Sequence, residues 1–191
     1  VDRVAVGVVD VCGEGGAQKG DFHEAANFAG IHKLPVIFFV QNNQYAISVP
    51  LAKESAGGSI AMRAEGYGFP GVAVDGMDFF ETHSAMKEAV ARARRGEGPT
   101  LIEAKCYRLT PHSSDDDDRR YRSREEVDLW KQRDPVLLFQ RSLKELNVLD
   151  DALDKEMRQR NQRQQATAID CEDRIRCACP SRVDRGCQSR K

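Results

Sequence analysis

Long apolar runs are missing from this chain, and so is any excess of charge of one sign. The longest unbroken apolar stretch, Val36 to Val40, is strand-sized, far short of the ~18 residues that cross a bilayer. The 29 basic and 30 acidic residues leave a net charge of -1, so no global field draws nucleic acid or an anionic membrane surface. The chain also lacks a GxGxxG turn and a GKS or GKT loop, the usual marks of a nucleotide-binding α/β domain. There is no internal repeat and no legible signal or transit peptide. Instead the sequence opens directly on the strand-like run Val4 to Val9, and an upstream portion is expected to be missing, because a domain rarely begins on a central strand. The 6 cysteines form no CxxC pair. Cys12 and Cys106 sit in apolar strand-like runs and read as reduced core thiols. Cys171, Cys177, Cys179 and Cys187 crowd the C-terminal end. A metal site there is conceivable, whereas a disulfide framework would need an oxidising compartment that the rest of the chain does not suggest.

Apolar residues make up 40% of the 191 positions, enough for the core of one ordinary domain. Val4 to Cys12 reads as a fully buried parallel strand, closed by Gly13-Glu14-Gly15-Gly16. Gly20 to His32 reads as a helix with Phe22, Ala25, Ala26 and Ala29 on one face and Asp21 in its first turn. Val36 to Val40 is a second buried strand, ending at Gln41-Asn42-Asn43. Ser59 to Tyr67 suggests a short helix and Val72 to Val74 a short strand. Asp78 to Arg95 is an amphipathic helix with Phe79, Met86, Ala89, Val90 and Ala93 inward, stopped by Gly96 and Gly98-Pro99. Thr100 to Cys106 is a further strand. The order βαβ, α, β, α, β argues for an α/β fold with a parallel sheet flanked by helices. Arg108 to Arg124 reads as a polar loop whose adjacent carboxylates Asp115 to Asp118 are expected in solvent. Helices follow over Glu125–Arg133 and Val136–Leu146, split at Asp134-Pro135, and a solvated helix over Asp151–Gln165. The expected organisation is one partial domain over 1–165 with a helical C-terminal extension, then an atypical tail over 166–191, disordered by default.

In open parallel sheets ligands bind beyond the strand C-termini. Glu14 follows the first strand and Asn43 the second. If those strands are neighbours, a carboxylate and an amide oxygen converge on one crevice, and Tyr45 can add its backbone carbonyl. These are hard oxygen ligands, suited to a magnesium-like cation that also takes phosphate oxygens. The glycines allow a close approach by a diphosphate, and amides beyond Gly20 can stabilise an anion. Taken alone, a Gly-Glu-Gly turn or an Asn-Asn strand end is more often only a turn. Both on one strand–helix–strand unit are far more specific.

Gly13-Glu14-Gly15 through Asn42-Asn43 resembles the thiamine-diphosphate motif. The stretches Lys19 to Ala25, Gln41 to Pro50 and Gly96 to Glu103 resemble the alpha subunits of 2-oxo acid dehydrogenases, and the likeness covers about Val1 to Arg160. Glu14 in place of the usual Asp, Pro111 to Asp117 with the later Tyr121-Arg122-Ser123, and Asp128-Leu129-Trp130 are similar to the branched-chain members rather than the pyruvate or acetoin ones.

The resemblance implies a thiamine-diphosphate-binding fold without its N-terminal part, and thiamine diphosphate with Mg2+ as cofactors. It implies oxidative decarboxylation of branched-chain 2-oxo acids, with acyl transfer to a lipoyl group. Glu14 and Asn43 would bind the metal through side chains and Tyr45 through its carbonyl. Gly13, Gly15 and Gly16 would line the diphosphate and Ile47 the middle of the cofactor. Gln41 stands at a cofactor-contacting position where the family often has Arg. His112 matches the active-site histidine, able to donate to an oxyanion or move a proton; without the motif it reads equally as a surface residue. Ser113 matches a serine that kinases phosphorylate in animal relatives. Arg108, Asp116, Tyr121 and Arg122 would support the loop. The implied partners are a beta subunit in an alpha2beta2 heterotetramer, which would supply the glutamate for the pyrimidine side, and the lipoyl domain of the acyltransferase component, with a small 2-oxo acid as substrate. The implied compartment is the bacterial cytoplasm, or alternatively the mitochondrial matrix. A pyruvate or acetoin enzyme, and a truncated fragment that binds nothing, are the competing readings.

Overall fold

The computed structural model describes residues 7–178, of which 166–178 are described as helical backbone alone. The chain divides into two compact units, Val1–Phe139 and Gln140–Lys191.

The first unit is built on a parallel sheet of β1 (Val8–Gly13), β2 (Val36–Asn42), β5 (Gly71–Asp75) and β6 (Thr100–Lys105), in spatial order β1-β2-β6-β5. Helix α1 (Gly20–Ile31) joins β1 to β2, and α4 (Phe79–Arg94) joins β5 to β6. These two crossovers step in opposite directions across the sheet, so right-handed connections put their helices on opposite faces. The packing agrees. Phe22, Ala26 and Ala29 of α1 pack with Phe38, Val40 and Leu101 on one side. Ala89 of α4 packs with Ile37, Val74, Ile102 and Ala104 on the other. Ala25 stands exposed, because the buried stripe of α1 follows positions 22, 26 and 29 and leaves 25 off its edge.

Each helix has a local cause. Asp78 caps α4, accepting from the N–H groups of Phe80 and Glu81 at 2.8 and 3.2 Å. Beyond its end Gly96 takes φ +73, a conformation that costs glycine nothing. Ser123 caps α5 (Arg124–Lys131), accepting from the Glu126 N–H. Pro135 opens α6 (Pro135–Glu145), where a missing N–H is harmless.

The structure corrects several expectations. β1 is an edge strand among the described residues, with Val8, Val9 and Val11 about half exposed, rather than a fully buried one; β2 alone pairs with it. Phe79 lies outside the sheet core: it is 48% exposed and rests on Phe139 of α6, ring centroids 4.2 Å apart. A first-turn side chain overhangs the end of the sheet rather than its face. The segment after β2 folds into a short hairpin of β3 (Tyr45–Ala46) and β4 (Val49–Pro50), followed by the one-turn helix α2 (Leu51–Glu54). The expected helix over Ser59–Tyr67 shrinks to α3 (Arg63–Gly66). Asp118 is buried, not solvated, because the Arg122 guanidinium neutralises it at 2.7 Å.

In the second unit, α7 spans Asp151–Ala178. Lys144 pairs with Asp151 at 2.5 Å and Gln140 donates to Asp154 at 2.8 Å. The expected disordered tail over 166–191 thus begins as helical backbone through 178. Its remainder, with Cys179 and Cys187, lies outside the described residues. Among the described residues no helix is long and apolar enough to cross a membrane.

Candidate functional site

β1 and β2 run side by side and in register, with Cys12 opposite Val40 and Gly13 opposite Gln41. Their C-terminal ends therefore bring Glu14 and Asn43 together: Glu14 Oε2 accepts the backbone N–H of Asn43 at 3.0 Å. Glu14 is 1% exposed, and its other oxygen, Oε1, is buried with no hydrogen-bond partner. A buried carboxylate oxygen without a donor is expensive, and a cation is the natural remedy. Asn43 Oδ1 accepts only a long bond from the Tyr45 N–H, at 3.3 Å. The Tyr45 carbonyl accepts from Arg108 at 2.9 Å, which leaves it a second lone pair. Among the described residues no three His, Cys, Asp or Glu side chains gather as a metal site. The donors here are instead a carboxylate, an amide and a carbonyl, all hard oxygens.

The glycines beside Glu14 let the chain pack closely around it. A Cβ on Gly15 would lie 2.6 Å from the Cβ of Ala46, and one on Gly16 would lie 3.3 Å from the Cβ of Cys12. The turn after β2 is strained: Gln44 and Ile47 take φ of +75 and +57, unusual for any residue with a Cβ and most so for β-branched Ile47. Such a conformation persists only when its surroundings hold it. Asn42 Oδ1 accepts from both the backbone N–H and the side-chain amide of Gln44, at 3.3 and 3.2 Å. Glu54 Oε1 accepts the Ala46 N–H at 3.1 Å. Arg108 donates to the Tyr45 and Ile47 carbonyls. The Tyr45 hydroxyl donates to Glu126.

From Arg108 the bonding continues outward. Its guanidinium donates to the Tyr121 hydroxyl at 3.0 Å, Tyr121 donates to Asp116 Oδ2 at 2.5 Å, and Asp116 Oδ2 accepts the His112 N–H at 2.8 Å. The Tyr121 hydroxyl, and then the His112 N–H, hold the Asp116 carboxyl below its usual range. Arg122 lies beneath, bound to Asp118 and to the carbonyls of Arg108 and Thr110. The four loop-support candidates thus form one connected set. His112 and Ser113 are exposed, and so are Gln41 and Ile47, while Gly13, Gly15 and Gly16 are half-buried.

Sequence reasoning missed Glu54, Glu103 and Glu126. Glu54 Oε2 is also buried and unpaired, and burial, with Glu14 nearby, pushes its carboxyl up. Glu103, fully buried in β6, accepts from Asn42, Ser59 and the Ala61 N–H at 2.7, 2.6 and 3.0 Å. Burial alone would raise its carboxyl, but those three donors hold it low. A charge in the apolar run Leu101-Ile102-Glu103-Ala104 was the available signal. Cys12 and Cys106 are free thiols, as expected, but only half-buried rather than in the core. Burial first, then nearby carboxylates, pushes both up to about 11.

Compared with known proteins, residues 4–174 match the family described as dehydrogenase E1 component. The chain belongs to that family. It is 60% identical to the 2-oxoisovalerate dehydrogenase subunit alpha of Bacillus subtilis over 145 residues, 76% of this chain and 44% of that one. It is 48% identical to the 3-methyl-2-oxobutanoate dehydrogenase subunit alpha of Mycobacterium tuberculosis, over 76% of this chain and 40% of that one. It is 44% identical to the pyruvate dehydrogenase E1 component subunit alpha of Staphylococcus aureus, over 78% of this chain and 40% of that one. The chain therefore spans less than half the length of these curated relatives.

Proposed function

We propose that this chain carries the metal–diphosphate half of a thiamine-diphosphate site, within the alpha subunit of a branched-chain 2-oxo acid dehydrogenase. The observation that carries the reading is Glu14: a buried carboxylate bonded to the Asn43 N–H by one oxygen and left unpaired at the other. Glu14 and Asn43 side chains and the Tyr45 carbonyl would hold Mg2+, while Gly13, Gly15 and Gly16 let a diphosphate approach the backbone. Bound there, thiamine diphosphate would supply the nucleophilic carbon and electron sink for decarboxylation. The protein's part is to hold and orient. Arg108 fixes the Tyr45 and Ile47 carbonyls and, through Tyr121 and Asp116, ties the backbone of His112 to the same turn. His112 would then donate or move a proton at the substrate oxygen, and a phosphate on exposed Ser113 would crowd that cleft. A beta subunit would close the pyrimidine side, and a lipoyl domain would take the acyl group.

The branched-chain assignment is supported by 60% identity to the Bacillus subtilis subunit against 44% to the pyruvate enzyme's subunit, together with Glu14 and the His112 loop. Isothermal titration of the full-length subunit with thiamine diphosphate and Mg2+, with and without the beta subunit, tests the site. Glu14→Ala abolishes metal-dependent binding on this reading, and unchanged affinity refutes it. Decarboxylation by the assembled enzyme, faster with branched 2-oxo acids than with pyruvate, tests the substrate.

A further inference from the structure

The carboxylate of Glu103 is fully buried in the central strand β6, where three hydrogen bonds, with the charge of nearby Lys105 behind them, offset the cost of burying it. β2 and β6 pair in register, with Val40 opposite Glu103 and Asn42 opposite Lys105. Glu103 reaches Asn42, the last residue of β2, and Asn42 Nδ2 donates to Glu103 Oε1 at 2.7 Å. That bond decides which way the Asn42 amide faces. With its NH2 committed to Glu103, the Asn42 Oδ1 is left for Gln44, taking both its N–H and its side-chain amide. Gln44 is the strained residue, φ +75, between Asn43 and Tyr45. On the far side, the Ser59 hydroxyl and the Ala61 N–H hold Glu103 Oε2 in place. A fixed polarity of donors and acceptors therefore runs from the 59–61 segment through Glu103 and Asn42 into the turn.

We propose that Glu103 is a positioning residue for cation binding: through Asn42 it locks the Gln44 turn that presents Asn43 and the Tyr45 carbonyl to the metal. The inference rests on the metal–diphosphate reading of that turn. Its signature is hydrogen-bond polarity rather than bulk. Glu103→Gln keeps the shape, but the amide oxygen it introduces is claimed by Ser59 and Ala61, so its NH2 meets the NH2 of Asn42. Flipping Asn42 relieves that clash only by turning its NH2 against the Gln44 N–H. The pair Glu103→Gln/Asn42→Asp repairs everything: the introduced amide donates to one oxygen of the introduced carboxylate, and the other oxygen accepts from Gln44.

The test uses the full-length subunit assembled with its beta subunit, at saturating thiamine diphosphate. Mn2+ is the probe, and the free ion is measured by electron paramagnetic resonance. Wild type and Glu14→Ala frame it. Binding in the first that is lost in the second upholds the metal reading, whereas no binding, or equal binding, sinks that reading and this inference together. Within that frame Glu103→Gln weakens Mn2+ about tenfold or more, as loss of a partner behind a metal ligand does, and the swapped pair returns to within about threefold of wild type. Wild-type affinity in Glu103→Gln overturns the inference and leaves the metal reading standing. So does a swapped pair that binds no tighter than the single variant or does not assemble. If Glu103→Gln itself does not assemble, Glu103→Asp takes its place: it keeps the charge but withdraws it from Asn42. About tenfold weaker Mn2+ binding supports the inference, and wild-type affinity overturns it.

Discussion

Replacing Arg122 by Met is the sharpest stability test of the loop that carries His112. The Arg122 side chain has no exposed surface and Asp118 has 5%. Its guanidinium donates twice to Asp118 Oδ2, at 2.7 and 3.1 Å, and also to the carbonyls of Arg108 and Thr110. It lies 5.4 to 6.0 Å from the ring centres of Tyr45, Tyr107 and Tyr121. Arg122→Met fills much of the volume but strands the Asp118 carboxylate, whose other cation, Arg124, is 3.9 Å away and well exposed. Breaking one side of a buried pair costs about 3–5 kcal/mol. At ~3–4 °C per kcal/mol for a unit of this size, the midpoint of thermal unfolding falls by roughly 10–20 °C. Trypsin cleavage after Arg119 or Arg120 should accelerate in parallel. The double variant Arg122→Met/Asp118→Leu removes the stranded charge and should recover at least about half of the loss, though the two carbonyls stay unserved. A midpoint shift below about 3 °C for the single variant, or a double variant less stable than either single one, refutes the reasoning.

Three further outcomes are expected. Gly15→Ala forces a Cβ to within 2.6 Å of Ala46, so titration calorimetry should show thiamine diphosphate binding weakened about tenfold with circular dichroism unchanged. The Tyr107 hydroxyl is pushed up to about 12 by burial and by its bond to Glu126; its protonated form is favoured in the fold, so the stability it contributes is intact below pH ~10 and lost as pH rises through 12. Ultraviolet titration should therefore place one tyrosine near that value, returning toward ~10 in Glu126→Ala. Cys12 and Cys106, at about 11, should be alkylated at pH 8 at least about a hundredfold more slowly in the fold than in urea, as mass spectrometry of labelled peptides would report.

The frame of the site was legible because β1, α1 and β2 carry clear signals: largely apolar runs for the strands, a 22/25/26/29 stripe for the helix, of which all but Ala25 is buried, and polar clusters at both strand ends. Adjacent strands then oblige Glu14 and Asn43 to meet. What was illegible depends on which side chains the fold brings together, near or far along the chain. Asp118 reads as one of four solvated carboxylates until Arg122 folds under it. Glu126 completes an S-x-x-E pattern with Ser123, yet its carboxylate accepts from the Tyr45 and Tyr107 hydroxyls. β1 looks like an interior strand by composition, but exposure depends on which strands lie beside it, and composition does not record that. Phe79 fits the apolar face of α4, while its place in the first turn sets it against Phe139 instead of the sheet.

An anomalous difference map from crystals of the full-length subunit grown with thiamine diphosphate and Mn2+ would bear most directly on the site. The account predicts one strong peak about 2.0–2.2 Å from a Glu14 oxygen and from Asn43 Oδ1, with the Tyr45 carbonyl as a further neighbour. A map with no peak there, or with diphosphate bound and the Glu14 carboxylate turned away from the ion, would contradict it.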